Sequence, residues 1–305
     1  MATILLGWEI GANRGHVVQL GAVARELRGR GHHVAWASNR LDIIGDVALP
    51  GEAVFQAPLW PGQRGPLRTA PPQAPDRSFA DTLVQLGLAE PGGFGSMLQG
   101  WDAILGAIRP DAVLADFAPA MLCAARGKVP TVSIGVGFTA LPAHLPLFPT
   151  FGQPGLVPVT DECGEARLLD LCNRALAANS ARPIAALPQL FAADKAIAAC
   201  FREFDPYAVH RTERHFAPFL LSWTPPPTRP AGEAIVVYLA ENLVPDEPLV
   251  DALAKVGMPA IVVRPGVAER TIEAAGGAQV TILSQPFHFA EIARRARLVI
   301  SNGNA

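Results

Sequence analysis

Residues 1–37 read MATILLGWEIGANRGHVVQLGAVARELRGRGHHVAWA, and the patterns in this stretch decide the fold. Ala2 to Leu6 is a short apolar run of the kind that forms a buried strand. Gly7, Gly11 and Gly15 mark a turn after it. Val17, Leu20, Val23, Ala24 and Leu27 then recur at helical spacing, Gly29-Arg30-Gly31 stops the helix, and His33 to Ala37 resumes as strand. Strand, glycine-bearing turn, helix and strand make the βαβ unit of a parallel sheet, a Rossmann-like start.

The alternation continues outward from this unit. Leu49 to Pro75 is dense in Pro and Gly and reads as an irregular excursion, followed by helical patterns at Phe79 to Leu88 and Phe94 to Ile108. Ala112 to Ala115 reads as a strand ending on Asp116, Met121 to Ala125 as helix, and Thr131 to Ile134 as strand. Five prolines between residues 138 and 159 exclude a regular element there and point to a long loop covering a cleft. A helix over Glu162 to Asn179 and a strand over Ile197 to Cys200 follow. Pro225-Pro226-Pro227-Thr228-Arg229-Pro230 is the clearest linker, because consecutive prolines stiffen into an extended spacer. The expected organisation is a domain at 1–224, a linker at 225–232 and a second domain at 233–305. The second has strands at Ala234 to Leu239, Ala260 to Val263, Val280 to Leu283 and Leu298 to Ile300, and helices at Leu249 to Lys255, Thr271 to Ala275 and Phe289 to Arg295. It stops directly after a core-type strand, so the expectation is an incomplete second domain in a truncated chain.

Composition excludes several classes. A formal charge of −2 offers no basic field for a nucleic-acid backbone. Despite a mean hydropathy of +0.25, no apolar run approaches the length that spans a bilayer. The N-terminus lacks the basic region of a signal peptide. Cys123, Cys163, Cys172 and Cys200 have irregular spacing, which suggests neither zinc nor a disulfide framework and fits a reducing cytoplasm.

In open parallel sheets, ligands bind beyond the carboxyl ends of the strands. His16, in the turn after the first strand, and Asp116, at the end of a later one, both fall there. A carboxylate that fixes the tautomer of a histidine makes it a suitable general base. By itself, a lone histidine at a helix start also reads as a cap or polar surface residue.

Gly15-His16-Val17, Leu20 and Arg30-Gly31-His32-His33-Val34 resemble the opening of the antibiotic, sterol and flavonoid glycosyltransferases of the GT-B type. The segment Arg109-Pro110-Asp111 to Asp116-Phe117, with Ala124-Ala125 and Val129-Pro130, is similar to a second motif of that family in the same order. The resemblance implies an α/β fold of two Rossmann-like domains facing across a cleft. It further implies His16 as general base, Asp116 as its orienting partner, and an inverting, metal-independent displacement with no cofactor. The implied partners are a UDP- or dTDP-hexose and a small, hydrophobic, hydroxyl-bearing acceptor. The sequence contains no Asp-x-Asp triplet of the kind that holds a metal in other transferases. One departure is Gln19, where the family commonly has Pro; the expectation is that it changes the start of the helix without touching the base.

Leu298 to Ala305 resembles the donor segment of the family, with Asn302 in place of its histidine. An amide donates a hydrogen bond to phosphate but brings no charge. Gly15, Glu241, Asn242, Phe287, Ser301, Asn302 and Gly303 are the donor-binding candidates, and Asn13, Phe138 and His144 the acceptor-binding ones. Other signals are weaker. Gly135 to Ala140 fits a GxGxxA pattern, but Pro142 blocks the helix a dinucleotide fingerprint needs. His32 and His33 are adjacent on a strand and point to opposite faces, which does not suit a metal. Two other functions compete with transfer: a nucleotide-sugar epimerase of the same fold, and a non-catalytic auxiliary protein or fragment with an incomplete donor site.

Overall fold

The computed structural model of the chain describes residues 1–11, 14–63, 76–151, 164–218, 232–238, 247–264, 268–273, 279–284 and 289–301. The chain divides into two compact units, Met1–Leu221 and Ser222–Ala305. Of the proline-rich segment 225–232, only Gly232 is among the described residues.

The first unit is built on one sheet of β1 (Thr3–Trp8), β2 (His33–Ser38), β3 (Val54–Gln56), β4 (Ala112–Asp116), β5 (Thr131–Gly135) and β6 (Lys195–Ala198). The strand order is β3-β2-β1-β4-β5-β6, and every neighbouring pair is parallel. Its helices are α1 (Arg14–Gly29), α2 (Leu41–Ile44), α3 (Phe79–Gln85), α4 (Gly93–Ile108), α5 (Pro119–Ala125) and α6 (Glu165–Ala178). Alternate strand residues feed two cores. Leu5, Ala35, Val113 and Ala115 face one side, where they pack with Trp101, Met121, Leu168 and Cys172. Leu6, Trp8, Trp36 and Leu114 face the other, under Val17, Leu20 and Ala24 of α1. Covering both faces demands apolar residues at successive positions, which is why the first strand reads as an unbroken apolar run. Gly7 is where the sheet and α5 approach most closely. A Cβ there would lie 2.1 Å from Met121 Sδ and 3.1 Å from the ring of Trp101.

Several boundaries differ from expectation, three of them in the strands of this sheet. The first strand runs on to Trp8, where it pairs with Asp116 and Ser38. The segment 49–75 contains β3, three residues long and too short to show a period of its own. The strand expected at Ile197 to Cys200 is displaced to Lys195–Ala198, because its pairing with β5 sets the register. Residues 138–151 form no helix or strand, as the prolines require, apart from a single bridge from Thr150 to Ser78.

The second unit consists of β7 (Ala234–Tyr238), α7 (Glu247–Lys255), β8 (Ala260–Val263), β9 (Arg270–Glu273), β10 (Gln279–Leu283), α8 (Phe289–Arg295) and β11 (Ala296–Ser301). The sheet order is β11-β7-β8-β10-β9. All pairs are parallel except β9 with β10. The helix expected at Thr271 to Ala275 is thus corrected to an antiparallel strand. Within it only Ile272 packs against the core, while Arg270, Thr271 and Glu273 are exposed, and β-branched Thr271 and Ile272 suit a pleated edge. Among the described residues, no helix is long and apolar enough to cross a membrane.

A buried ion pair fixes the loop after β5. The Asp205 carboxylate accepts from the guanidinium of Arg211, from the backbone N–H of Tyr207 (2.9 Å) and from His215 Nε2 (2.8 Å). Arg211 Nη2 in turn donates to the carbonyl oxygens of Ala140 (2.7 Å) and Gly137 (3.3 Å). Burial opposes the charge on Asp205, but the bonds from Arg211, Tyr207 and His215 together outweigh it and hold the carboxyl below its usual range. Asp205→Ala is expected to destabilise the protein by about 3–5 kcal/mol, because it strands a buried guanidinium. Urea denaturation followed by tryptophan fluorescence measures this, and a loss below about 1 kcal/mol contradicts it.

Candidate active site

In the first unit, α1 carries the chain from β1 to β2 on one side, and α5 carries it from β4 to β5 on the other. Diverging connections from adjacent parallel strands open a crevice at their carboxyl ends. Trp8 and Asp116 are the paired last residues of β1 and β4 and therefore form its floor. From Trp8 the chain runs through Glu9, Ile10 and Gly11 toward α1, whose first turn presents His16 back over that floor.

His16 Nδ1 lies 3.0 Å from Asp116 Oδ2. The Asp116 side chain is 0% exposed and that of His16 14%. A carboxylate only accepts, so in the neutral tautomer that pairs with it Nδ1 carries the proton and Nε2 keeps the lone pair. No hydrogen bond to Nε2 occurs among the described residues. The ring is fixed by packing as well as by charge. It stacks on Trp8 at 4.8 Å between centroids and lies nearly parallel to Phe117 at 6.2 Å. Gly11, at φ +99°, passes so close that a Cβ there would sit 2.6 Å from Nε2, so the glycine is required both for its backbone angle and for the space.

Two polar residues complete the assembly. Gln19, one turn along α1 from His16, donates from Nε2 to the same Asp116 Oδ2 at 3.1 Å. The expectation that Gln19 leaves the base untouched is therefore corrected: residues three apart on a helix share a face, and both side chains converge on one oxygen. Glu9 is fully buried. It accepts from the backbone N–H of Met121 (2.6 Å) and Ala120 (3.2 Å) and from Trp60 Nε1 (3.0 Å). It ties the loop before His16 to the turn after Asp116, as does the bond from Ile10 N–H to the carbonyl of Phe117. Asn39 adds two more ties, donating to the carbonyls of Glu9 and Gly11. Phe117 itself has φ +50°, a conformation that costs a non-glycine residue about 1–3 kcal/mol and that clusters at functional sites.

Of the acceptor candidates, Phe138 joins a group of aromatic rings continuous with the dyad. Phe117 stands beside His16, Phe138 is 6.3 Å from Phe117, and Phe79 packs against both. Phe138 is 41% exposed, the open end of this series. His144 is exposed and no contact among the described residues brings it to the dyad. Gly15 is exposed on the first turn of α1, where a Cβ would meet nothing. Ser301 ends β11 in the second unit and is exposed. Asn13, Glu241, Asn242, Phe287, Asn302 and Gly303 lie outside the described residues. Sequence reasoning missed Glu9, Trp8 and Phe117. Their positions beside the two strand ends were the available signal.

Among the described residues, one group of side chains has metal-ligand chemistry: Cys200, Asp205 and His215 hold ligand atoms within 4.8 Å of one another. It does not suit a cation. Both Asp205 oxygens already accept bonds, and the buried guanidinium of Arg211 sits against them.

No family model matches the sequence, and no curated protein matches it. Solved structures do. The glycosyltransferase of kitacinnamycin is 18% identical with a TM-score of 0.65, over 99% of this chain and 76% of that one. CalG4, the calicheamicin glycosyltransferase, is 18% identical with a TM-score of 0.61, over 98% and 74%. The Streptomyces sp. SF2575 glycosyltransferase SsfS6, complexed with thymidine diphosphate, is 16% identical with a TM-score of 0.56, over 99% and 76%. At these identities the likeness is one of fold. The chain has the GT-B fold, with two Rossmann-like units, as the sequence resemblance implied.

The setting of Glu9 has a measurable consequence. Burial pushes its carboxyl up from 4.5 to about 7, against the pull of its donors. A raised folded-state value means that the folded protein holds this proton more tightly than the unfolded chain. The resulting stabilisation is complete below pH 4.5 and is lost as the pH rises through 7. Glu9→Gln removes this dependence. Wild type is expected to lose about 3 kcal/mol relative to the variant between pH 4.5 and 7.5, read from urea midpoints across that range. A constant difference between the two proteins would contradict the protonated setting.

Proposed function

We propose that this chain transfers a hexosyl group from a nucleotide-diphosphate sugar, UDP- or dTDP-linked, to a hydroxyl of a small hydrophobic acceptor, with inversion and without a metal. The observation that carries this reading is the approach of His16 Nδ1 to the buried Asp116 Oδ2 at 3.0 Å, beyond the carboxyl ends of β1 and β4. With Nδ1 turned to Asp116, Nε2 is the basic atom. Nε2 takes the acceptor proton as the acceptor oxygen attacks C1 of the sugar, the bond from C1 to the diphosphate oxygen breaks, and the nucleoside diphosphate departs. Asp116 stabilises the imidazolium that forms.

Support for each partner differs in kind. The aromatic series from Phe117 to Phe138 favours an apolar acceptor stacked near the base. The likeness to glycosyltransferase structures, one of them complexed with thymidine diphosphate, supports a nucleotide-linked donor. On this reading the second unit binds the donor, with Glu241, Asn242, Phe287, Ser301, Asn302 and Gly303 as its candidate contacts and Gly15 offered from the first. The acceptor rests against Asn13, Phe138 and His144, and the reaction takes place in the cytoplasm.

The test uses purified protein with UDP- and dTDP-hexoses and a panel of aromatic and polycyclic alcohols, with products followed by mass spectrometry. His16→Ala and Asp116→Asn are each expected to lower the turnover of the wild type by about 100-fold or more, the scale of a lost general base. Nucleotide-sugar binding, measured by calorimetry, should survive both changes. Undiminished turnover in His16→Ala overturns the role given to the histidine.

A further inference from the structure

Asp116 is a fully buried carboxylate with an uneven set of partners. Oδ2 accepts a hydrogen bond from Gln19 Nε2 at 3.1 Å and lies 3.0 Å from His16 Nδ1, whereas Oδ1 is buried without a hydrogen bond among the described residues. The only donors it meets there are the imidazole and this amide. Gln19 is itself 6% exposed, on the buried face of α1 between Val17 and Leu20. A buried amide that donates to an anion makes a charge-assisted bond, stronger than a neutral one.

We propose that Gln19 is a positioning residue that sets the basicity of His16. It acts through Asp116 and rests on the reading of the pair as base and orienter. The amide does two things. It holds the carboxylate in the rotamer that turns Oδ2 toward His16. It also competes with the imidazole for the charge on that oxygen, so that Asp116 attracts the imidazolium proton less than it would beside an apolar side chain. The pair then releases its proton at a lower pH, which leaves more of His16 in the neutral form that accepts a proton from substrate. The other groups around the ring do not compete for this role. Trp8, Phe117 and Gly11 present ring faces and backbone. The Glu9 carboxyl is committed to Trp60, Ala120 and Met121, and Arg14 is ion-paired with Asp46.

The experiment is an NMR titration of the His16 imidazole in the full chain, which needs no turnover and no ligand. Gln19→Met keeps the length and burial of the side chain and removes the donor. The proposal expects the apparent pKa of the pair to rise by about 0.5 to 1 unit in this variant, and Asp116→Asn to lower it. Gln19→Leu supplies the same comparison if the methionine variant does not fold. An unchanged His16 titration in a folded donor-free variant overturns the proposal, as does a fall. Where transfer is measurable, the acid limb of kcat/KM should move upward by the same interval, while KM stays within about twofold. A shifted titration in a protein without transferase activity separates failure of the transfer reading from failure of this one.

Discussion

The parallel pairing of Thr3–Trp8 with Ala112–Asp116 is the constraint from which the first unit takes its form. The strands between them in sequence, β2 and β3, lie on the far side of β1, so the two helical connections must leave in opposite directions. Trp8 and Asp116 lie level at the carboxyl ends of these two strands. Everything assembled there, the His16 ring, the amide of Gln19 and the bend at Phe117, depends on those two strand ends being level. A slip of one residue in this register would turn Asp116 to the opposite face of the sheet and leave His16 without a partner.

Buried carboxylates recur at that rim, and each anchors a different loop. Glu9 ties the turn after β1 to the start of α5. Asp116 ties β4 to the first turn of α1. Asp205, beyond β6, holds the turn after β5 through Arg211. Removing a carboxylate from water is costly unless donors surround it, so each residue stabilises the geometry only while its partners stay in place. The rim is thereby held by directional bonds rather than by packing alone. Loops that carry chemistry need such bonds, since they have few apolar contacts of their own.

Aromatic packing supplies the complementary constraint. Trp8 lies under one side of the histidine, and Phe117 joins it to Phe79, Phe138, Phe148 and Phe191. Rings at these separations stabilise one another through edge and face contacts, and those contacts fix orientation as well as burial. The strained backbone of Phe117 is sustained by this packing, because its ring is held by neighbours on several sides. The turn bearing Phe138 is tied at Gly137 and Ala140 by Arg211.

How much of this the amino-acid order fixed depends on distance along the chain. Periodicity within residues 1–37 sufficed for β1, α1 and β2, since apolar spacing and glycine stops act over one or two turns. The rule that ligands gather at strand ends put His16 and Asp116 in one region, although 100 residues separate them, and the family resemblance was needed to read them as a pair. The strand at Arg270–Glu273 was misread as helix because four residues carry too little pattern, and its partner Gln279–Leu283 decides its form. The bond from Gln19 to Asp116 was not foreseen, and Glu9 was missed, for a related reason. Their spacing from His16 is visible, but their roles come from burial against segments about 100 residues away, at Asp116 and at Ala120 and Met121. Local sequence determines which elements form and which way their side chains face. Tertiary structure alone decides which polar atoms lose their water, and an atom without water must find a partner wherever the fold has placed one.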